Sequence, residues 1–497
     1  MSGIPRTPIQ TFHKEKETTM STESVLEADY VIIGAGAVGL AFVDTLLTET
    51  TATAIVVDRR ASPGGHWNDA YPFVTLHGAS ATYGVESMVL NSDRIETTGI
   101  NRGMYELPGK DQILAYYGRL LHERLLPSGR LRYLPLHDCA SDGSATSLVN
   151  GQRVQLVARR RWVDTTLADT QVPATHGPQF DIADGVQCLT PTELAVQWRP
   201  DSANRGHVIV GGGKTAMDTA VWLLQRGVDP GTITWIRPRE AWLLNRVNAQ
   251  PTPRFAEPTL QGMLGEFEAA HDARSIDDLF ARLEKRCLLL RMDRNVKPTM
   301  FRCAVVSKAE LAELQRIRNV VRLGRVHSIG LERIELDKGE IATAPGRVHV
   351  HCSSAGLPRG PAQPMFQGRR IVPQYVRRCS PCFSAAFVAH VEIAIDGGDD
   401  VKNALCAVVR PPEVPLDWLR LHLQTARNQA EWSRHPQMQA WLRQSRLEAF
   451  RRMFEAAEKD PTEAWTYAQN RLSDIRPGAL RRMQELLEEA TDGATLQ

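Results

Sequence analysis

At 497 residues the chain exceeds one ordinary hydrophobic core, so two or three domains are expected. Its formal net charge is +2, with 42% hydrophobic and 23% charged residues; this is the balance of a soluble globular protein and gives no bulk electrostatic case for nucleic-acid binding. No run approaches the roughly 18 apolar residues of a membrane span, and eight cysteines in such a length do not make a disulfide framework, which favours a reducing, cytoplasmic setting.

Residues 1–27 are polar and lack the apolar stretch of a secretory signal, so they read as a disordered extension in which Met20 could serve as the start. Residues 28–40, ADYVIIGAGAVGL, organise the rest of the chain. A β-branched run (Val31, Ile32, Ile33) feeds into Gly34-x-Gly36-x-x-Gly39 and then a helical pattern. Gly34 allows the tight turn, Gly36 lets backbone approach a pyrophosphate, and Gly39 lets helix pack on strand, with the anion on the helix N-terminus. The next strand, residues 54–57, ends in Asp58, an acid placed to accept hydrogen bonds from a ribose 2′-hydroxyl, with Arg59 beside it.

Residues 62–85 form a loop dense in glycine, aromatic residues and histidine, where loops beyond strand ends line a ligand crevice. A helical pattern (Ile113, Tyr116, Tyr117, Leu120, Leu121) closes at Gly129, and strands are expected around 132–136 and 154–157. Proline-punctuated residues 173–191 read as a connection between domains. At His207 the opening pattern repeats: a β-branched strand, then Gly211-x-Gly213-x-x-Ala216 and a helix, with Lys214 and Thr215 inside the turn. The counterpart of Asp58 is Arg237, with Arg239 two residues on. A cation there suits a 2′-phosphate, so the first unit is read as holding FAD and the second NADPH.

Residues 255–293 look like a helical insertion, strands return near 320–323 and 348–350, and from Leu416 the chain is mostly helical, with an apolar stripe of Leu447, Phe450 and Phe454 expected to pack on the rest of the protein. Cys379-Ser380-Pro381-Cys382 lacks a second pair at zinc spacing, and His349 and His351 lack accompanying carboxylates; no metal site is expected.

With two such units and the loop Gly64-Gly65-His66-Trp67 followed by Tyr71-Pro72-Phe73-Val74, residues 28–356 resemble the class B flavin-dependent monooxygenases, a group that includes flavin-containing, Baeyer–Villiger and N-hydroxylating enzymes. The family's F-x-G-x-x-x-H signature is absent, as is the redox cysteine pair that related disulfide reductases carry in the same loop. The resemblance implies flavin contacts at Gly65, His66 and Trp67, and places His77 where relatives carry Asn or Asp near the flavin. It implies an FAD- and NADPH-dependent oxidoreductase that inserts one oxygen atom from O2, through a C4a-peroxyflavin, into a small organic substrate; a flavin reductase without insertion and a non-catalytic nucleotide-binding regulator are the alternatives.

The expected architecture is α/β: two Rossmann-like dinucleotide-binding domains and a mostly helical C-terminal region. Residues 28–200 form the first part of the FAD domain, 201–360 the NADPH domain, and 361–497 a return to the FAD domain followed by helices. A homo-oligomer is compatible with this reading.

Overall fold

A computed structural model of the chain describes residues 24–91, 94–168, 170–251, 253–354, 356 and 361–495. The strand Ser24–Ile33 lies at the centre of the first sheet. It pairs in parallel with Ala54–Val57 on one side and Arg153–Asp164 on the other, so that Ile32 sits between Val56 and Val163. Leu131–Leu134 extends the sheet beyond Ala54–Val57, and Arg370–Ile371 extends it beyond Arg153–Asp164. Val31, Ile32 and Val56 are buried because both faces are covered, as parallel sheets require. One cover is a pair of helices, Ala37–Glu49 and Pro381–Ala394, which share a core of Leu40, Phe42, Val43, Phe383 and Phe387.

The second sheet repeats this order. His207–Val210 lies between Ile233–Ile236 and Val348–His351, with Val320–Val321 and Cys188–Leu189 outside them, all parallel. Two doubly wound α/β units therefore share one chain, and the expected fold class holds.

Three expectations about boundaries change. Ser24 to Glu27, read as part of a polar extension, already belong to the central strand: they pair with Val154 to Val157, whose backbone offers a ladder that the polar composition did not reveal. The remainder of that extension, residues 1–23, lies outside the described residues. The division expected at 200 falls earlier, since Asp181–Ile182 pairs with Val326–Ile329 and Cys188–Leu189 with Val348–His351. For the same reason residues 173–191 are more than a connection; short strands escape notice when prolines interrupt their pattern.

The inserted segment forms helices Ala256–His271 and Ile276–Lys285. The first packs on the 33-residue helix Glu463–Thr495 through Leu260, Leu264, Trp465 and Ala468, and Phe450 and Phe454 join that cluster. Phe450 and Phe454 thus face the protein's own insertion, whereas Leu447 packs into the core of the first unit. Among the described residues no helix is long and apolar enough to cross a membrane.

Candidate functional site

In the first turn Gly34 adopts φ +104°, and a Cβ on Gly39 would stand 2.0 Å from the Gly34 carbonyl oxygen, so only glycine fits. Gly36 is the N-cap of Ala37–Glu49 and offers no side-chain cap. Its backbone faces Gly65, whose Cβ would lie 3.0 Å from the Gly36 Cα. The helix N–H groups therefore open toward a glycine-lined gap, the arrangement that receives a pyrophosphate. Asp58, 5% exposed, accepts from the Ala35 N–H at 2.6 Å and the Arg60 N–H at 2.7 Å, one bond on each oxygen. The carboxylate keeps acceptor capacity for a ribose hydroxyl.

The second turn is built alike. Gly211 has φ +133°, and a Cβ there would meet the Cys352 carbonyl oxygen at 2.8 Å; the Trp235 indole N–H donates to the Gly211 carbonyl at 2.8 Å. Gly213 caps Lys214–Gln225 without a side-chain bond, and a Cβ on it would meet nothing within 4 Å. Ala216 is fully buried, as close packing of helix on strand demands. Thr215 lines the space in front of the turn.

Lys214 is no solvated lysine. Its ammonium pairs with Asp218 and, at 2.8 Å, with Glu310, which also binds Arg246 at 2.8 Å. Tyr71, from the loop of the first unit, donates its hydroxyl to the other Asp218 oxygen at 2.7 Å. This buried network ties the two units together. His77 faces it: burial, with Lys214 and Arg246 adding to the effect against Glu310, holds its imidazole down to about 3. The ring is neutral at physiological pH and available for hydrogen bonding.

Arg237 and Arg239 part company. Arg237, 5% exposed, pairs with Glu240 at 3.1 Å and lies 4.7 Å over the Trp235 ring. It borders a smaller pocket of about 690 Å³ with Arg318 and Arg322, whereas Arg239 lines the main cleft. The sequence Arg-Pro-Arg-Glu carries its own counter-ion, and Glu240 draws the first arginine inward.

Both turns open on one cleft of about 2110 Å³. That is about twice the ~1,000 Å³ upper end of a single small-molecule site, so it has room for two dinucleotides. Gly34, Gly36, Asp58, Arg59, Gly65, His66, Trp67, His77, Gly211, Gly213, Lys214, Thr215 and Arg239 all line it; Gly39 and Ala216 pack behind. His66 stacks on Trp67, whose indole N–H donates to the Tyr83 hydroxyl at 2.7 Å. The residues present fit FAD and NADPH: two uncapped helix N-termini, glycine cradles that a Cβ would fill, and an acid at the end of the first unit's second strand. Among the described residues no three metal-ligating side chains gather.

Sequence reasoning missed two features. Arg446, far along the chain, clamps the loop over the first unit by donating to the carbonyls of Val85 at 2.6 Å, Tyr83 at 2.8 Å and Ala81 at 3.2 Å. A lone arginine in a helical region carries no signal of this. The second is a disulfide: Cys379 is joined to Cys303 and not to Cys382, which remains a buried thiol that burial pushes up to about 11. Cys303 lies 76 residues ahead of Cys379, a separation that no spacing motif marks.

No family model matches the sequence. It is 42% identical, over 429 residues, to the uncharacterized proteins Rv2000 of Mycobacterium tuberculosis and Mb2023 of Mycobacterium bovis, covering 86% of this chain and 79% of each of theirs. The chain belongs to their family. Among solved structures, it is similar to a flavin-containing monooxygenase from Stenotrophomonas maltophilia, at 14% identity and a TM-score of 0.43, over 77% of this chain and 99% of the other. A likeness that distant carries no argument about chemistry, and the site is read from this chain's own residues.

Proposed function

We propose that the protein is an FAD- and NADPH-dependent oxidoreductase, with FAD on the first glycine turn and NADPH on the second. The observation that supports this best is that two uncapped, glycine-lined helix N-termini open on one cleft. When bound, the pair supplies hydride and two-electron chemistry that no side chain here provides. The chain's own residues bind, orient and exclude water. Asp58 accepts from the FAD ribose, the Gly36 and Gly213 turns receive the pyrophosphates, and Arg239 meets the 2′-phosphate. Tyr71 and Lys214, held on Asp218, fix the second turn against the first unit. His77, neutral in its site, offers a hydrogen bond to the reacting centre and keeps an additional cation away from it.

The finer reading is a monooxygenase acting on a small substrate with O2. Two measurements test the proposal. Protein reconstituted with FAD should lose its flavin absorbance on anaerobic addition of NADPH; a persistent yellow colour would overturn the oxidoreductase reading. In air, an amine, thioether or ketone should raise NADPH consumption with little hydrogen peroxide released, while stoichiometric peroxide with every such compound would leave a reductase without oxygen insertion.

A further inference from the structure

The cleft holds a disulfide outside the nucleotide turns. Cys303 lies in the strand Met300–Val306, which follows the second unit's insertion and pairs with Ala241–Asn245, and Cys379 stands just ahead of Pro381–Ala394, the helix that covers the first unit. Their disulfide crosses between the two units, and both cysteines line the cleft onto which both glycine turns open. Cys303 is half-buried there and Cys379 exposed, so the bridge is not sealed in a core. A bridge that serves only to hold a fold together is ordinarily shielded, whereas accessible ones are the labile or catalytic ones.

The backbone adds an independent observation. Cys303 has φ +55° and Cys379 φ +45°, in the left-handed region where a non-glycine residue is held only by its surroundings; such residues cluster at functional sites. Cys379 also sits one residue before the N-cap Ser380 of a 14-residue helix. There the helix dipole favours its thiolate, making Cys379 the better leaving sulfur when the bridge opens.

We infer that the Cys303–Cys379 disulfide is a redox centre of the cleft that accepts two electrons from NADPH. This rests on the proposed NADPH and FAD sites. The balance is simple: the S–S bond breaks and two S–H bonds form. NADPH is oxidised to NADP+, giving two electrons and one proton as hydride, and solvent gives the second proton. Reduction would also untie the strand Met300–Val306 from the covering helix, so the same event that stores electrons loosens one wall of the cleft.

The test is a thiol count on the FAD-loaded wild-type protein. Of the eight cysteines six are free, so air-oxidised, denatured protein should take six N-ethylmaleimide labels. After anaerobic incubation with NADPH and an acid quench it should take eight, with the two new labels mapped to Cys303 and Cys379. Flavin absorbance is followed in the same sample. If the flavin bleaches but both cysteines stay bridged, while dithiothreitol opens them, the disulfide is a staple and the inference fails alone. If the flavin does not bleach, the proposed function fails and the inference with it. Eight labels before any reductant would also overturn it.

Discussion

Gly213→Ala separates a nucleotide-binding turn from a merely structural one. Gly213 is exposed, its φ is −87°, which any L residue adopts, and an added Cβ would meet no atom within 4 Å. The fold should therefore tolerate the methyl. Alanine is a poorer N-cap than glycine, worth up to about 1 kcal/mol, but replacing glycine restricts the unfolded chain and returns about 0.4–1 kcal/mol. The two nearly cancel, so Tm and bound FAD should be unchanged. The methyl does occupy the gap through which a pyrophosphate reaches the N–H groups of Lys214–Gln225. Losing one hydrogen bond to a charged group costs about 1.5–3 kcal/mol, or roughly 10- to 150-fold in Kd. Titration of the FAD-loaded, oxidised protein with NADP+ under equilibrium dialysis reads this directly. An unchanged Kd in a protein of unchanged Tm would refute the assignment of the second turn to a dinucleotide.

The opposite behaviour is expected of Gly39→Ala, whose Cβ would stand 2.0 Å from a backbone oxygen; it should lower Tm and FAD content together, and a normal Tm would show that the first turn is looser than this contact demands. Arg239→Ala should weaken NADPH binding far more than NADH binding. Arg237→Ala should chiefly cost stability, about 1–3 kcal/mol for the disrupted pair with Glu240, read as a urea midpoint shift; the reverse pattern would return the 2′-phosphate to Arg237. His77 should contribute to acid sensitivity. Its folded pKa of about 3 lies below the unfolded 6.5, so the unfolded chain binds the proton first, and stability present above about pH 6.5 is lost as pH falls toward 3. Between pH 7 and 5 this is at most about 2 kcal/mol. His77→Gln should flatten that limb, and identical urea midpoints against pH in both proteins would place His77 outside the buried network.

The two glycine turns were legible because their requirements are local. A strand, a glycine pattern and the next strand's last residue fall within some thirty positions, and Gly39 answers a contact with Gly34 inside the same turn. What the sequence concealed depends on partners distant along the chain. The Tyr71–Asp218 bond spans 147 residues and the Arg446 clamp more than 360. The C-x-x-C of Cys379 and Cys382 lacks a second pair, and the fold brings Cys303 to Cys379 from 76 residues away. Arg237 matches Asp58 in register, but its side chain pairs with Glu240 and lies over Trp235, contacts that register does not encode. The polar segment ahead of Ala28 hid a strand because ladder pairing asks little of side chains on a sheet's end.

The discontinuity of the first unit bears on how the protein is made. Its sheet has its central strands by Asp164, but it lacks the strand Arg370–Ile371, the covering helix Pro381–Ala394 and the Arg446 clamp until the ribosome has passed them. At 5–20 residues per second, the roughly 280 residues between Asp164 and Arg446 leave the nascent first unit half-covered for about 15 to 60 s. FAD loading is therefore expected to be a late, essentially post-translational event. Truncation before Arg446 should then yield a chain that needs chaperones and stays colourless even where both glycine turns are intact.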